Sequence, residues 1–423
     1  MKLKKVLSIV LAASMAMSLM TGCGDDSDNE KETDKGKATT ITFMTNVVGN
    51  KADALEKAIK DFETESGYKV EFSAPGSDYE ELMKVKMGSN ELPDVFTTHG
   101  WSVARYGEYL KPVNDMSFFS KIDQQILPAI TAKDGSVYVL PVDVDIAGIV
   151  YNEDVLADAG VTVDSIKTWK DFADACEKIK AKGHEPIHMG GKDSWPIGQF
   201  FDWVAPSYYV TDETNNQIDA LKSGSFDEKI WEELGQMMKD WKDAGYFNED
   251  VLTADYNADM EALAKGEAAF VFYGNNAVSD AMAINAEVKL GMMPIPSNNA
   301  NDEPSLITGE DIAVGIWKDT KNSKEAQELL EYLAKPEVMS EIAKAAGNKA
   351  GLQGVTSDIG NIQTYLDKYS SVQTYPYFDR EYLPSGLWDT MCLTGAEILA
   401  GTKNAVVDAA KEMKDVFNSK FTQ

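Results

Sequence analysis

Residues 184–188 read HEPIH and match H-E-x-x-H, the motif in which two histidines hold zinc and a glutamate activates water. That chemistry requires a helix, because positions i and i+4 must share one face for both imidazoles to reach one metal ion. The sequence predicts an extended chain instead, since Gly183 precedes the motif and Pro186 lies inside it. The two histidines of an extended chain are about 13 Å apart, whereas zinc–nitrogen bonds measure about 2 Å. We therefore interpret the motif as a chance match and expect no metal.

The segment before the motif has the pattern of an amphipathic helix. Thr168 is a predicted N-cap, with Asp171 three residues later. Apolar side chains follow at helical spacing at Trp169, Phe172, Cys176 and Ile179. The motif is thus predicted at a helix end that continues into a short strand. Cys176 lies on the apolar face, so we expect a buried free thiol there.

The amino terminus predicts export and lipidation. Three lysines precede an apolar run at residues 6–20, which is too short for a comfortable membrane span but typical of a signal peptide. The run ends in SLMTGCG, which resembles the lipobox of bacterial lipoproteins and implies a lipidated Cys23. We predict a signal peptide at residues 1–22 and a disordered tether at residues 23–36, which are small, polar or charged. A plain secretory signal with an incidental cysteine is the alternative.

Composition narrows the classes of partner. The 423 residues suffice for about two or three domains, and 43% hydrophobic content suits a globular protein. A formal net charge of −29 argues against nucleic acid and polyanionic ligands. Three cysteines are too few for a disulfide framework.

Strand and helix patterns alternate after the tether. Residues 39–99 give strand, helix, strand, helix and strand, the βαβαβ order of an open α/β sheet. Ligands of such sheets bind beyond the carboxyl ends of the strands. Residues 135–161 form a long extended run with no helix between its halves, which we interpret as a strand passing from one domain to another. A second α/β unit follows, and the chain from Asp358 onward is predicted to be largely helical.

Five segments carry a further pattern in a fixed order along the chain: LPDVFTTHGWSVARYGEYLKPV at 92–113, DGSVYVLPVDVDIAGIVYNEDVLADAGV at 134–161, TWKDFADACEKIKAKGHEPI at 168–187, LAKGEAAFVFYGNNAVSD at 263–280 and KNSKEAQELLEYLAKPEV at 321–338. Together they resemble the extracellular solute-binding proteins of bacterial ABC importers, in the carbohydrate-binding branch that includes maltose-binding proteins. The resemblance spans nearly the whole chain after the tether. It also places KGHEPI at a helix-to-strand junction of the family.

The resemblance implies a two-lobed α/β fold like that of periplasmic binding proteins, with hinge strands and a ligand cleft between lobes that close on a solute. We expect lobe one at residues 37–145 plus 306–350 and lobe two at residues 146–305 plus 351–423. No catalytic group and no cofactor are implied. The implied partners are a small carbohydrate, the permease subunits of an ABC importer and, through Cys23, the extracellular face of the cell membrane. We expect a monomer that binds no nucleic acid.

Sugar binding needs flat aromatic platforms together with directed hydrogen bonds. Four of the eight tryptophans are predicted in the core from their helix or strand patterns: Trp169, Trp231, Trp241 and Trp317. The other four are predicted in loops, where each can face a ligand or cover the core: Trp101, Trp195, Trp203 and Trp388.

The resemblance assigns ligand contacts to specific positions of this sequence. They are Thr98, His99 and Trp101 after a strand of lobe one, Asp143 and Asp145 on the hinge strand, Asn275 and Asn276 after FYG, Glu310 and Asp311 at a strand start, and Arg380 and Trp388 in a late loop. The two asparagines replace the family's common G-x-W, a departure that removes an aromatic residue. A solvated surface role is the alternative for each charged residue.

Three functions remain open from the sequence. Carbohydrate capture for an ABC importer is favoured, because candidate aromatic platforms coexist with carboxylates. Capture of a cationic solute such as a polyamine or quaternary amine is the second, since aromatic cages and acids also suit cations. An extracellular enzyme is the third, but it needs a nucleophile or acid–base constellation that we do not find in the sequence.

Overall fold

The structure is a computed structural model, which describes residues 39–98, 106–124, 126–384 and 386–421. The predicted signal peptide, tether and lipidated Cys23 lie outside the described residues, as do His99 and Trp101. The strands are β1 Thr40–Met44, β2 Lys69–Ser73, β3 Val95–Thr97, β4 Val139–Pro141, β5 Asp143–Ala147, β6 Ile149–Asn152, β7 Glu185–Ile187, β8 Ala268–Val271, β9 Leu290–Met293, β10 Leu306–Glu310, β11 Ala313–Ile316, β12 Lys349–Ala350 and β13 Thr374–Pro376. The helices are α1 Gly49–Ser66, α2 Tyr79–Ser89, α3 Glu153–Asp158, α4 Trp169–Ala181, α5 Trp195–Val204, α6 Pro206–Tyr209, α7 Ile218–Lys222, α8 Glu228–Ala244, α9 Tyr256–Lys265, α10 Asn276–Ile284, α11 Ser323–Leu333, α12 Pro336–Ala346, α13 Ile362–Lys368, α14 Phe378–Tyr382, α15 Leu387–Ala400 and α16 Ala405–Phe421.

Lobe one is built on a five-stranded sheet of order β2-β1-β3-β11-β4. β1 runs parallel to β2 and β3, as the predicted βαβαβ order requires, and β11 joins antiparallel from far along the chain. Alternate residues Ile41 and Phe43 of β1 pack in one core with Leu55 and Phe62 of α1. α1 ends at Gly67, whose φ of 77° lies in the left-handed region that favours glycine.

Lobe two is built on a four-stranded sheet of order β7-β8-β6-β9. Ile149 and Tyr151 of β6 pack into one apolar cluster, and Val150 between them packs into another. Both faces of this sheet are therefore covered, which explains why its strands are apolar without alternation. Cys176 and Cys392 are buried free thiols in this half of the molecule.

Two neighbouring strands carry the chain between the lobes. β5 follows β4 of lobe one after one residue and leads after one more residue into β6 of lobe two, while β10 connects lobe two back to β11. β5 and β10 pair antiparallel within a second four-stranded sheet of order β12-β5-β10-β13. The paired strands form the hinge between the lobes. The residue boundaries predicted for the two lobes stay a prediction.

The local prediction around the HEPIH motif is confirmed. Thr168 and Asp171 form a capping box, α4 ends at Ala181, and β7 begins inside the motif at Glu185. The tryptophans predicted in the core on α4 and α8 are buried. None of the helices in the ranges described above is long and apolar enough to cross a membrane.

Two predictions about local structure are wrong. The predicted extended run contains α3, because the Asn152 side chain accepts hydrogen bonds from the backbone N–H groups of Asp154 and Val155 and so starts a helix. Trp195 and Trp203 lie in α5 and Trp388 lies in α15, not in loops. The Pro and Gly residues around them mark helix starts, since proline fits the first turn of a helix.

Candidate ligand-binding site

β5, which pairs with β10 in the hinge, carries two buried carboxylates on one face. Asp143 and Asp145 are two residues apart on β5, so both side chains leave the same side of the strand. Asp143 accepts a hydrogen bond at 2.7 Å from the backbone N–H of Ile312 and another at 2.9 Å from Nδ2 of Asn348. Both oxygens of Asp143 are thus occupied by the protein itself.

One oxygen of Asp145 makes no hydrogen bond of normal geometry, although the backbone N–H of Asn275 lies close enough to the carboxylate to lower its pKa. Its Oδ2 accepts a hydrogen bond at 2.7 Å from the Tyr377 hydroxyl, whereas the buried Oδ1 has no hydrogen-bond partner among the described residues. Gly274 lies against this carboxylate so closely that a Cβ at that position would be 2.5 Å from Oδ2. Glycine is therefore required there, and it brings Asn275 to the side of Asp145.

Further buried polar atoms near the hinge make no hydrogen bond among the described residues. Asn275 is completely buried, and neither its Oδ1 nor its Nδ2 makes a hydrogen bond within the described chain. The same holds for Oε1 of Glu310, at the end of β10, and for Oγ1 of Thr98, whose backbone N–H bonds Ala313 at 2.7 Å. A buried polar group without a partner costs about 1 to 3 kcal/mol, so a cluster of them indicates a site that a polar ligand completes.

Two cations balance part of the acidic charge. Lys51 pairs with Asp311, and Nη1 of Arg380 donates to the backbone oxygen of Glu310 at 2.8 Å and lies 3.6 Å from its Oε1. The Arg380 guanidinium also stacks 4.1 Å above the ring of Tyr377. The predicted site residues of the hinge thus form one connected cluster.

Burial shifts the pKa of these acids upward. It raises the pKa of Asp143 to about 7 and that of Asp145 to about 6, with a smaller contribution from the neighbouring charge of Asp311. The Tyr377 hydroxyl and the Lys51 ammonium oppose the rise at Asp145. Burial also raises the pKa of Glu310, which nearby Arg380 opposes. The site therefore changes its charge close to neutral pH.

An aromatic wall made of Trp195, Tyr256 and Tyr273 stands in lobe two. Their ring centroids lie 5.1 to 5.5 Å apart. Tyr273 immediately precedes Gly274 in the chain, so the wall adjoins the polar cluster. Trp195 and Tyr256 are half-buried.

The wall is tied to lobe one through α10. The Tyr256 hydroxyl accepts a hydrogen bond at 3.0 Å from Nδ2 of Asn276 and donates one at 2.7 Å to Oδ2 of Asp280. The other oxygen of Asp280 accepts a hydrogen bond at 3.3 Å from Nδ2 of Asn50, at the start of α1. The two lobes therefore touch beside the wall.

Two further predicted site residues, Trp203 and Trp388, lie on helices of lobe two. Trp203 is 1% exposed in the apolar cluster of lobe two and offers no face to a ligand. Trp388 is half-buried at the start of α15, and its neighbour Asp389 lies 3.3 Å from Nζ of Lys84 on α2 of the other lobe. This ion pair places Trp388 beside a second contact between the lobes.

Five residues of the hinge cluster and the aromatic wall were not among the predicted site residues, namely Lys51, Tyr256, Tyr273, Asp280 and Tyr377. Tyr377 bonds Asp145 across 232 positions of the chain, and Lys51 pairs with Asp311 across 260. No local pattern marks such distant pairs. The aromatic-rich segment YPYFDREY around Tyr377 was the one available signal.

The two histidines of the HEPIH motif bond different acids. Nε2 of His184 lies 3.3 Å from Oδ2 of Asp158, and Nδ1 of His188 lies 2.6 Å from Oδ1 of Asp259. No group of three or more potential metal ligands occurs in the part of the chain that the structure describes.

Known proteins resemble this chain in sequence and in fold. Residues 49–340 match the family described as bacterial extracellular solute-binding protein. The melibiose/raffinose/stachyose-binding protein MelE of Bacillus subtilis is 32% identical over 397 residues, which cover 93% of this chain and 92% of MelE.

Solved structures agree with this relationship. A sugar transporter of Bacillus licheniformis, crystallised in complex with stachyose, superposes with a TM-score of 0.83 at 32% identity and covers 90% of this chain and 100% of its own. An open conformation of a putative binding protein of Bacillus subtilis, MsmE, superposes with a TM-score of 0.78 at 31% identity, covering 91% and 98% respectively. The predicted two-lobed α/β fold is confirmed, and the chain belongs to the bacterial extracellular solute-binding protein family.

Proposed function

We propose that this protein is the substrate-binding lipoprotein of an ABC importer and that it captures an oligosaccharide between its two lobes. The observation that carries the proposal is the set of buried polar atoms at the hinge that make no hydrogen bond among the described residues, on Asp145, Asn275 and Glu310, of which Oε1 of Glu310 has an ion pair with Arg380. Sugar hydroxyls both donate and accept hydrogen bonds, so one ring edge can satisfy the carboxylate acceptors and the asparagine amide together. Melibiose, raffinose and stachyose, named for the relative MelE, support an oligosaccharide as the ligand.

The aromatic wall supplies the apolar half of the proposed site. A pyranose ring has an apolar C–H face, which a half-buried Trp195 or Tyr256 can cover while the hydroxyls reach the polar cluster. Removing this face from water contributes about 25 cal/mol per Å². Contacts from both lobes would then favour the closed arrangement, with bending at β5 and β10.

The remaining parts of the proposal concern delivery. We propose that the protein binds its ligand without a catalytic step or cofactor, hands it to the permease subunits, acts as a monomer, and is held by lipidated Cys23 at the extracellular face of the membrane. The lipobox-like SLMTGCG and the family's extracellular character support this location. A cationic ligand is not favoured, because the relative MelE is named for neutral oligosaccharides and because Lys51 and Arg380 already pair with acids at the hinge.

Isothermal titration calorimetry tests the proposal. We expect saturable binding of raffinose or stachyose that changes little between low and high salt, because the ligand is uncharged. Binding of spermidine that weakens strongly with salt, without binding of any oligosaccharide, would instead support the cationic alternative. Maltotriose is the comparison that separates this oligosaccharide class from glucose polymers.

A further inference from the structure

His188, the second histidine of the HEPIH motif, is buried in lobe two against acids. Its Nδ1 lies 2.6 Å from Oδ1 of Asp259, which is completely buried on α9. Its Nε2 lies 3.7 Å from Oε2 of Glu185 on β7. The site described so far uses none of these contacts.

Asp259 connects this histidine to the aromatic wall. Its second oxygen accepts hydrogen bonds from the Gly190 backbone N–H at 2.8 Å and from the Tyr273 hydroxyl. The ring of Tyr273 packs against Trp195 at 5.3 Å and against Tyr256 at 5.1 Å. A buried chain of contacts thus runs from His188 to the wall.

We propose that His188 is a positioning residue for ligand binding: its imidazolium balances the buried Asp259 carboxylate, and the pair fixes Tyr273 beneath Trp195 and Tyr256. The inference rests on the proposed function, because the wall is assigned to a ligand only there. Tyr273 also directly precedes Gly274 and Asn275, so its position sets the backbone that carries the asparagine amide.

The surroundings favour a charged His188. The charged or titratable groups that face it are Asp259 from α9, Glu185 from β7 and Asp250 from the segment before α9, with Tyr273 behind Asp259. Burial alone would lower the pKa of His188, but the hydrogen bond and charge of Asp259, with Glu185 and Asp250, raise it overall. The ion pair between His188 and Asp259 therefore carries both charges at lower pH, and the positive charge of His188 is lost as pH rises through its raised pKa. Above that pH Asp259 is a buried carboxylate without a balancing cation, and the wall loses its fixed support.

Two measurements test this inference with His188→Gln, which retains an amide donor but no charge. The first is fluorine NMR of ligand-free protein labelled with 5-fluorotryptophan. The resonance of Trp195 is assigned as the one that disappears in Trp195→Phe. The wild-type resonance should shift in one step as pH rises through the raised pKa of His188, and His188→Gln should abolish the step. The second is raffinose affinity: as pH rises through the same range, wild type should lose roughly three- to tenfold in affinity relative to His188→Gln, because the titration of Asp145 is common to both proteins and cancels in this ratio.

The controls separate positioning from general damage. His184→Gln changes the other histidine of the motif, which bonds Asp158 at the surface, and should retain both wild-type profiles. Tyr273→Phe keeps the ring but removes the hydroxyl that donates to Asp259. The Trp195 resonance of this variant should therefore no longer depend on pH. Folding of each variant is checked by circular dichroism.

The outcomes are distinct. A folded His188→Gln protein that keeps the Trp195 step and the wild-type pH profile overturns the inference while leaving the proposed function intact. A protein that binds no oligosaccharide but shows a His188-dependent Trp195 step refutes the proposed function and retains the coupling between His188 and the wall.

Discussion

Replacing Asp145 with asparagine tests whether the hinge carboxylate accepts hydrogen bonds from the ligand. Asp145→Asn keeps the shape of the side chain but removes its charge. The Tyr377 hydroxyl can still donate to the amide oxygen, as it does to Oδ2 in wild type. The amide nitrogen then takes the place of Oδ1, the atom that makes no hydrogen bond among the described residues, and offers a donor where wild type offers an acceptor.

The expected loss of affinity follows from the replacement of the Oδ1 acceptor by an amide donor. A charge-assisted hydrogen bond contributes about 1.5 to 3 kcal/mol, so raffinose should bind the variant roughly ten- to hundredfold more weakly near pH 7. Burial raises the pKa of Asp145 to about 6, so about a tenth of the ligand-free protein is ionised there at about pH 5. Wild-type affinity should therefore fall about tenfold between about pH 7 and about pH 5, while the variant should change much less.

Stability should move in the opposite direction. Because the folded pKa lies above the unfolded value, the folded state holds a proton that the unfolded state has released between about pH 4 and about pH 6. Wild-type stability from this group thus falls as pH rises through that window. Asp145→Asn avoids the cost of ionising a buried acid and should be more stable near pH 7 by about 2 to 3 kcal/mol, with no difference near about pH 3.

Calorimetry at about pH 7 and at about pH 5 measures the loss of affinity and its pH dependence. Thermal melts of the ligand-free proteins at about pH 7 and at about pH 3 measure the difference in stability. Asp143→Asn is the matched control on the same strand face, and it should weaken raffinose less, because both oxygens of Asp143 already bond the protein. A folded Asp145→Asn protein with wild-type affinity near pH 7 would refute the assignment of Asp145 to the ligand.

The other predictions concern stacking, anchoring and metal. Trp195→Ala should weaken raffinose binding by about 2 kcal/mol through loss of apolar contact, and Trp388→Ala should weaken it by a similar amount if its ring also stacks on the sugar. Replacing the buried Trp203 should change stability alone. Unchanged calorimetric affinity in a folded Trp195 or Trp388 variant removes that residue from the site. Cys23→Ser should abolish lipid labelling and release the protein or leave a precursor, and labelling that persists contradicts the anchor. Chelation of zinc should change neither the melting temperature nor raffinose affinity, and unfolding that zinc reverses would contradict our interpretation of HEPIH.

Local patterns predicted much of the fold. The capping box at Thr168, the helix stop before the HEPIH motif and the βαβαβ start all depend on residues close together in the chain, and each has the predicted form. The short helix α3 was missed because six residues give too little periodicity to outweigh the apolar run before it. The tryptophan loops were mispredicted because proline and glycine mark helix starts as well as turns.

The site was less accessible to sequence reasoning. Asp145 and Glu310 were identified through the resemblance, but nothing local indicated that Tyr377 donates to one oxygen of Asp145 while the other makes no hydrogen bond among the described residues. Trp203, like Trp195, has Pro, Ser and Asp within a few residues of it in the sequence, yet its position on α5 turns it into the core. Such differences depend on tertiary packing, which brings together segments hundreds of residues apart.

A crystal structure of the protein grown with raffinose shows which atoms hold the sugar. We expect sugar hydroxyls at about 2.5 to 3.2 Å from Oδ1 of Asp145 and from the side-chain amide of Asn275, with a pyranose face against Trp195 or Tyr256. A structure in which raffinose lies elsewhere, and in which water alone bonds Asp145 and Asn275, would contradict the proposed site.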